Sequence, residues 1–274
     1  RRLETVEKVW MGPSAGTLSD EFTAMAGLGA LYSRVSTYVF GNWDRCGEVM
    51  GLAPSGRLTD EPLMHIEDGR LVVPTWGPER RHPFVGRQDA DWLKSEHRPE
   101  WEDLCRRVQE DTERVLVERA RRLHERTGEK NLCIAGGVAL NCVANGRILE
   151  ETPFENVFIQ PAAGDDGIAL GCALYGTHAL RKRARSFTMQ TAYLGRPYDD
   201  AVVAQAVRAP AARLAAQRSR PADVVEAAAD LLARGRVISW FQGRSEFGPR
   251  ALGNRSILAD PRDAAMRDRV NAKV

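Results

Sequence analysis

Three stretches of the sequence combine residue types that could do chemistry. The first is Gly136-Gly137-Val138-Ala139-Leu140-Asn141. Glycines between a strand and a helix let the backbone approach a ligand closely. The helix N-terminus adds free N–H groups and the positive end of a dipole, which suits phosphate. Asn141 could offer its amide to a ribose or a base. A tight turn with no ligand would use the same Gly-Gly pair. The second stretch is Gly164-Asp165-Asp166-Gly167. Adjacent carboxylates repel unless water or a cation neutralises them. Hard cations favour such oxygen ligands, and borderline metals accept one carboxylate beside imidazoles. Successive side chains diverge, so one Asp is expected to reach a metal. Helix N-capping by either Asp is the alternative. The third stretch is Phe247-Gly248-Pro249-Arg250-Ala251-Leu252-Gly253-Asn254-Arg255-Ser256. Its two arginines could clamp a phosphate or a carboxylate bidentately. A surface loop with solvated arginines is the alternative, although the glycines and the proline fix a local path that favours a shaped site.

These stretches need elements to hold them. Trp101 to Thr127 carries apolar residues at helical spacing, with Gly128 as the expected stop. Asn131 to Ala135 reads as a short buried strand running into Gly136-Gly137, and Val138 to Glu150 as a helix. Val157 to Ile159 reads as another strand, Gln160 to Gly164 as a loop, and Gly167 to Lys182 as a small-residue helix. This alternation is an α/β pattern with ligand loops at the carboxyl ends of strands. Further upstream, Met25 to Tyr38 carries apolar positions, and Gly47 to Gly56 reads as a structured loop beside a short helix. Glu67-Asp68-Gly69-Arg70 between apolar runs signals a hairpin. Residues 76–100 read as a long Pro/Trp/His loop. Residues 184–221 look like a boundary. After them a helix over Ala222 to Ala233 and a strand over Arg236 to Phe241 lead into the third stretch.

The five histidines, His65, His82, His97, His124 and His178, form no His-x-x-x-His pair. His82 and His97 could face a substrate from the long loop, while His124 at a helix end reads as solvated or dipole-stabilising. Trp76, Trp92 and Trp101 could stack on a substrate or cover the core. The five cysteines contain no Cys-x-x-Cys, which argues against a disulfide framework and a zinc knuckle. Cys133 and Cys172 read as small buried hydrophobes, and reduced thiols in a cytoplasmic protein are the expectation. In 274 residues, 39 Lys and Arg stand against 37 Asp and Glu, so charge gives no reason to expect nucleic acid or a membrane surface as partner. The length allows about two domains. The start at Arg1 and the stop at Val274 look abrupt, and truncation is the expectation.

Taken together, Gly47 to Pro54, Cys133 to Cys142, Gln160 to Gly167 and Phe247 to Leu258 occur in an order that resembles the NodU/CmcH/TobZ-type O-carbamoyltransferases. The resemblance implies an α/β chain. Residues 1–183 would be the C-terminal part of an actin/sugar-kinase-like (RNase H-like) ATPase domain, similar to the threonylcarbamoyl-transfer subunit. Residues 184–221 would be a linker, and residues 222–274 the beginning of a YrdC-like domain. It implies that ATP and carbamoyl phosphate give a carbamoyl-adenylate, whose carbamoyl group passes to a hydroxyl of a small molecule. Family acceptors include aminoglycosides, cephems, polyketide macrocycles and lipo-chitooligosaccharides.

On that resemblance, Arg250 and Arg255 fall on the carbamoyl-phosphate/ATP side as catalytic residues. Gly136, Gly137, Val138 and Asn141, with Gly164 and Asp166, would hold the nucleotide. Asp165 would ligate a divalent metal, iron in the family's best-studied type, with magnesium beside ATP as the other option. The family's His-x-x-x-His metal motif and its early phosphate loop do not occur here. The match is therefore to the middle of the family protein, with about half of each site. A nucleotide-binding fragment without turnover and a threonylcarbamoyl-type tRNA-modifying enzyme are the alternatives. The Gly-Asp-Asp-Gly loop and the lack of a basic stripe count against the latter.

Overall fold

A computed structural model describes residues 4–8, 27–72, 95–208 and 222–273, and its fold is mixed α/β. It divides into two compact units, Arg1–Gln160 and Pro161–Val274. His82, Trp76 and Trp92 lie outside the described residues, as does residues 209–221 of the expected linker.

The first unit is built on one long helix. Its elements are α1 (Leu28–Phe40), α2 (Cys46–Leu52), β1 (His65–Glu67), β2 (Arg70–Val72), α3 (Arg98–Thr127), β3 (Asn131–Ile134), α4 (Cys142–Glu151) and β4 (Asn156–Ile159). The expected helix is α3, and Gly128 closes it in the left-handed region with its N–H on the His124 carbonyl at 2.7 Å. Trp101, Cys105, Val108 and Val115 line up along α3 and bury themselves against Leu31, Val35, Val39, Val49 and Met64. Full burial of each such side chain contributes about 1.5–3 kcal/mol. Trp101 is therefore a core residue. The hairpin forms as its sequence predicts: β1 and β2 pair antiparallel, with Asp68 and Gly69 both at positive φ. The Gly47–Gly56 stretch is helical over most of its length, as α2 followed by a 3-10 turn at Ala53–Ser55.

At the other end of α3, Val117 and Ala120 meet Ile148 and Phe154 beneath Leu132, Ile134 and Val157. Here β3 and β4 pair in parallel, Asn131 opposite Asn156 through Ile134 opposite Ile159. Two expectations are corrected. The helix over Val138 to Glu150 is broken: Gly137–Leu140 is a 3-10 turn, Asn141 is extended, and α4 starts at Cys142. Cys133 is exposed, because strand alternation turns Leu132 and Ile134 inward and leaves Cys133 on the opposite face beside Phe158.

The second unit contains α5 (Ile168–Tyr175), α6 (Asp200–Arg208), α7 (Val224–Ala233), β5 (Ile238–Phe241), β6 (Arg255–Leu258) and α8 (Ala265–Asn271). The antiparallel pair β5–β6 sets Phe241 opposite Arg255. The expected helix over Gly167 to Lys182 keeps α-geometry only to Tyr175 and then loosens into a π-turn at Gly176–Leu180. No residue of α5 is buried, so Cys172 is exposed, against expectation. Among the described residues no helix is long and apolar enough to cross a membrane.

One buried carboxylate ties the first unit together. Asp111 of α3 is fully buried and accepts the backbone N–H of Leu63 at 2.6 Å, together with the Arg107 guanidinium at 2.6 Å and that of Arg114 at 3.2 Å. Arg107 also donates to the Thr59 carbonyl at 2.8 Å. Removing one partner of a buried ion pair leaves an uncompensated charge and costs about 3–5 kcal/mol. Asp111→Ala is therefore expected to destabilise the first unit by that amount in urea unfolding, and a loss within error of zero would contradict the clamp.

Candidate functional site

In the first unit, parallel strand β3 ends at Ile134 and leads through Ala135 into Gly136, whose φ of 102° is open to glycine but strained for other residues. Gly136 and Gly137 are exposed, and a Cβ on either would meet nothing within 4 Å. The turn is thus open on its outer side. Val138 is half-buried and follows them in the 3-10 turn. Asn141 is buried, and its amide faces the protein interior. Its Oδ1 accepts the N–H of Ala144 at 3.1 Å, capping α4. Its Nδ2 donates to Gln109 Oε1 at 2.9 Å, and Gln109 Nε2 returns a bond to Asn141 Oδ1 at 3.1 Å. Asn145 Nδ2 donates to the Ala139 carbonyl at 2.8 Å. The backbone of the turn is therefore available, while the Asn141 amide is engaged in holding it.

The second unit brings the third stretch against Pro161, three residues before the second stretch. Gly248 has a φ of 136°, and a Cβ there would lie 2.7 Å from the Pro161 carbonyl oxygen. A Cβ on Gly167 would lie 2.0 Å from the Ala162 carbonyl oxygen. Only glycine permits either approach. The Phe247 N–H donates to the Ala192 carbonyl at 2.7 Å and the Gly195 N–H to that of Ser245 at 3.0 Å, so the connecting segment is stitched on as well. Asp165 and Asp166 are exposed and open a 3-10 turn from Asp165 to Gly167, preceded by half-buried Gly164. Neither carboxylate caps a helix: Gly164 and Gly167 occupy the cap positions without a side-chain bond.

The two arginines differ. Arg255 stacks its guanidinium on the Phe241 ring at 3.4 Å and donates to the carbonyls of Gln242 at 2.6 Å, Asn254 at 2.9 Å and Gly243 at 3.2 Å. Arg250 is exposed, with no side-chain bond among the described residues. Just ahead of both lies a group that sequence reasoning missed. Glu246 Oε1 accepts the backbone N–H groups of Leu252 at 2.9 Å, Asn254 at 2.7 Å and Arg255 at 3.2 Å. Loss of water works against the charged carboxylate, but the N–H groups of Leu252, Asn254, Glu246 itself and Arg255 outweigh it and hold its pKa down at about 2. Gln109 was missed too, although it falls on the buried stripe of α3, four residues after Cys105, where a polar side chain needs a partner.

A metal site is not complete in these residues. Among the described residues no group of three or more His, Cys, Asp or Glu gathers to hold an ion. Asp165 and Asp166 would offer carboxylates without imidazoles. His97 sits at the N-cap of α3, 3.6 Å from Glu100, and His124 packs edge-on to Phe154 at 5.3 Å. A cleft of about 690 Å³ in the first unit, floored by Leu116, Ala120, Leu132 and Ile148, contains none of the expected site residues.

Residues 82–174 match the sequence profile described as Carbamoyltransferase N-terminus, and residues 229–274 match Carbamoyltransferase C-terminus. The chain belongs to the carbamoyltransferase family. It is similar to the nodulation protein NolNO of Sinorhizobium fredii, 40% identical over 261 residues that cover 90% of this chain and 37% of that protein. The nodulation protein NolO of Bradyrhizobium diazoefficiens is 39% identical over 236 residues, covering 83% of this chain and 42% of its own. The 3'-hydroxymethylcephem-O-carbamoyltransferase of Streptomyces clavuligerus is 40% identical over 143 residues, 51% of this chain and 25% of its own. The chain spans about two fifths of the length of the nodulation relatives it matches. In carbamoyltransferase terms, the approach of Gly248 to Pro161 joins the C-terminal profile to the N-terminal one within a single compact unit.

The Glu246 clamp carries a test. The carboxyl sits below its ordinary value of 4.5, so its contribution is complete above that pH and fades as pH falls towards about 2. At neutral pH, Glu246→Gln removes the charge but not the size. Trypsin should then cut after Arg250 several-fold faster, with the rest of the digestion pattern unchanged. An unchanged rate at that bond would show that the carboxylate does not hold the loop.

Proposed function

We propose that this chain is part of an O-carbamoyltransferase that forms carbamoyl-adenylate from carbamoyl phosphate and ATP and passes the carbamoyl group to a hydroxyl of a small-molecule acceptor. The observation that supports it most is the open Gly136–Gly137 turn at the carboxyl end of a parallel strand, held from behind by a buried amide pair. That is where α/β folds take up nucleotides. Its exposed backbone would lie against the adenylate, with Val138 beneath and Asn141 holding the turn. The assignment of Gly164 and Asp166 to nucleotide binding, and of Asp165 as the one carboxylate offered to a divalent cation, belongs to the same proposal.

In the transfer step the acceptor oxygen bonds to the carbamoyl carbon. The bond from that carbon to the adenylate phosphate oxygen breaks, AMP leaves, and the hydroxyl proton goes to a base. Arg250 is the free guanidinium of the third stretch and would bind the anionic phosphates, while Arg255 shapes the loop from which it projects. The actin-like and YrdC-like domain assignment, with a boundary between residues 184 and 221, belongs to the same proposal. So does the acceptor class, for which the cephem enzyme is one named example.

The test is calorimetry with ATP followed by product analysis. Gly137 has ordinary backbone angles and open space around it, so Gly137→Ala should fold normally. Its methyl would stand where the ligand must approach, and ATP affinity should fall about tenfold or more. Equal affinity in the two proteins would remove the turn from the nucleotide site. Absence of carbamoylated product from the intact protein with carbamoyl phosphate, ATP and a panel of hydroxylated acceptors would defeat the transferase reading.

A further inference from the structure

We propose that Gln109, assisted by Tyr32, is a positioning residue that sets the Gly136–Asn141 turn for its ligand through a buried chain of hydrogen bonds; this rests on the nucleotide reading above. Tyr32 of α1 donates its hydroxyl to Gln109 Oε1 at 2.7 Å. The same oxygen accepts from Asn141 Nδ2 at 2.9 Å, so both of its lone-pair sites are filled. Gln109 Nε2 donates to Asn141 Oδ1 at 3.1 Å and to Glu113 Oε1 at 2.6 Å, which uses both of its hydrogens. Glu113 Oε2 in turn accepts from Arg147 of α4 at 3.0 Å.

Tyr32, Gln109, Glu113 and Asn141 are all buried. A polar chain of this kind, with every bond made, selects one geometry, because any shift leaves a buried group unpaired. Its end point is informative. Asn141 is the one extended residue between the 3-10 turn and α4, and its own N–H donates to the Val138 carbonyl at 3.0 Å. Rotation of Asn141 would therefore move the peptides from Gly136 to Leu140. Helix α1 also backs this turn, since a Cβ on Gly29 would sit 3.5 Å from the Val138 side chain. A merely structural network would have stabilised α3 against α4 through Arg147 and Glu113 alone. The amide pair instead adds a fixed orientation to the residue on which the glycine turn hinges.

The intact protein is used for the test, with Val49→Ala as a control that deletes buried apolar carbons on α2. Gln109→Leu should weaken ATP binding about tenfold in calorimetry and speed amide hydrogen exchange across Gly136–Asn141 without nucleotide. Val49→Ala should lower the melting temperature and leave both readings at their wild-type values. Tyr32→Phe removes a single donor and should give a smaller change in the same direction, so it serves if Gln109→Leu does not fold. Combining Gln109→Leu with Asn141→Ala should weaken binding little more than either change alone, because both break one interaction. Wild-type exchange rates in the turn of Gln109→Leu, or equal loss of affinity in Val49→Ala, overturn the proposal. Should the wild-type protein fail to bind ATP while Gln109→Leu still frees the turn, the nucleotide reading falls and the positioning of the turn is supported.

Discussion

Backbone N–H groups outside a ladder must find an acceptor, since a buried unpaired one costs as much as a lost hydrogen bond. The described strands pair only two by two, so this constraint presses on most of the molecule. Side-chain oxygens meet it at the turns. Asp111 takes the N–H of Leu63, Asn141 takes that of Ala144, and Glu246 takes those of Leu252, Asn254 and Arg255. Each lies at a junction: loop to core, turn to helix, and loop to strand. Charge-assisted bonds of this kind are stronger than neutral ones, which suits the two carboxylates to the longer loops.

The same constraint explains why chemistry-bearing residue types are not all available for chemistry. Asn141 and Arg255 have the groups that would suit a ligand, but the structure engages those groups itself, with buried Gln109 and with the Gln242 and Gly243 carbonyls. What remains open is different in kind: the bare backbone of Gly136 and Gly137, the carboxylates of Asp165 and Asp166, and the guanidinium of Arg250. In the first and third stretches a holding group, Asn141 or Arg255, lies a few residues from the open ones. A motif of this sort is therefore a small structural device around a few exposed atoms.

Local signals were the legible part of the fold. The spacing of Trp101, Cys105, Val108 and Val115 marks α3, Gly128 its end, and Asp68-Gly69 the hairpin, because each is settled within a few residues. The break at Asn141 was not legible, since it depends on Gln109, 32 residues away in sequence. Nor was the exposure of Cys133 and Cys172: the face of β3 that Cys133 takes is left uncovered, and no residue of α5 is buried. In the site, Gly136-Gly137 forms a turn after a strand, and the third loop follows a fixed path, as its glycines and proline imply. Their supports, Gln109 and Glu246, are ordinary polar residues whose meaning comes only from the N–H groups and amides brought to them. The long-range approach of Gly248 to Pro161, just ahead of the second stretch, is equally invisible in one dimension.

Arg250 and Arg255 illustrate the division most clearly. Five residues apart on one loop, they could not be told apart by type or spacing. The loop is tethered before Arg250 by Phe247 on Ala192 and by Gly248 against Pro161, and after it by Glu246 on residues 252, 254 and 255. Arg255 is one of the tethers, stacked on Phe241 and bonded to three carbonyls. To reach a ligand it would have to abandon those acceptors and unstack from the ring. Arg250 carries no such obligation, and its backbone is already placed by its neighbours. Binding an anion there would order one side chain rather than a loop, which keeps the entropic cost to that of a single long rotamer. A fixed loop with a free guanidinium at its tip follows from the clamp alone, whatever anion it meets.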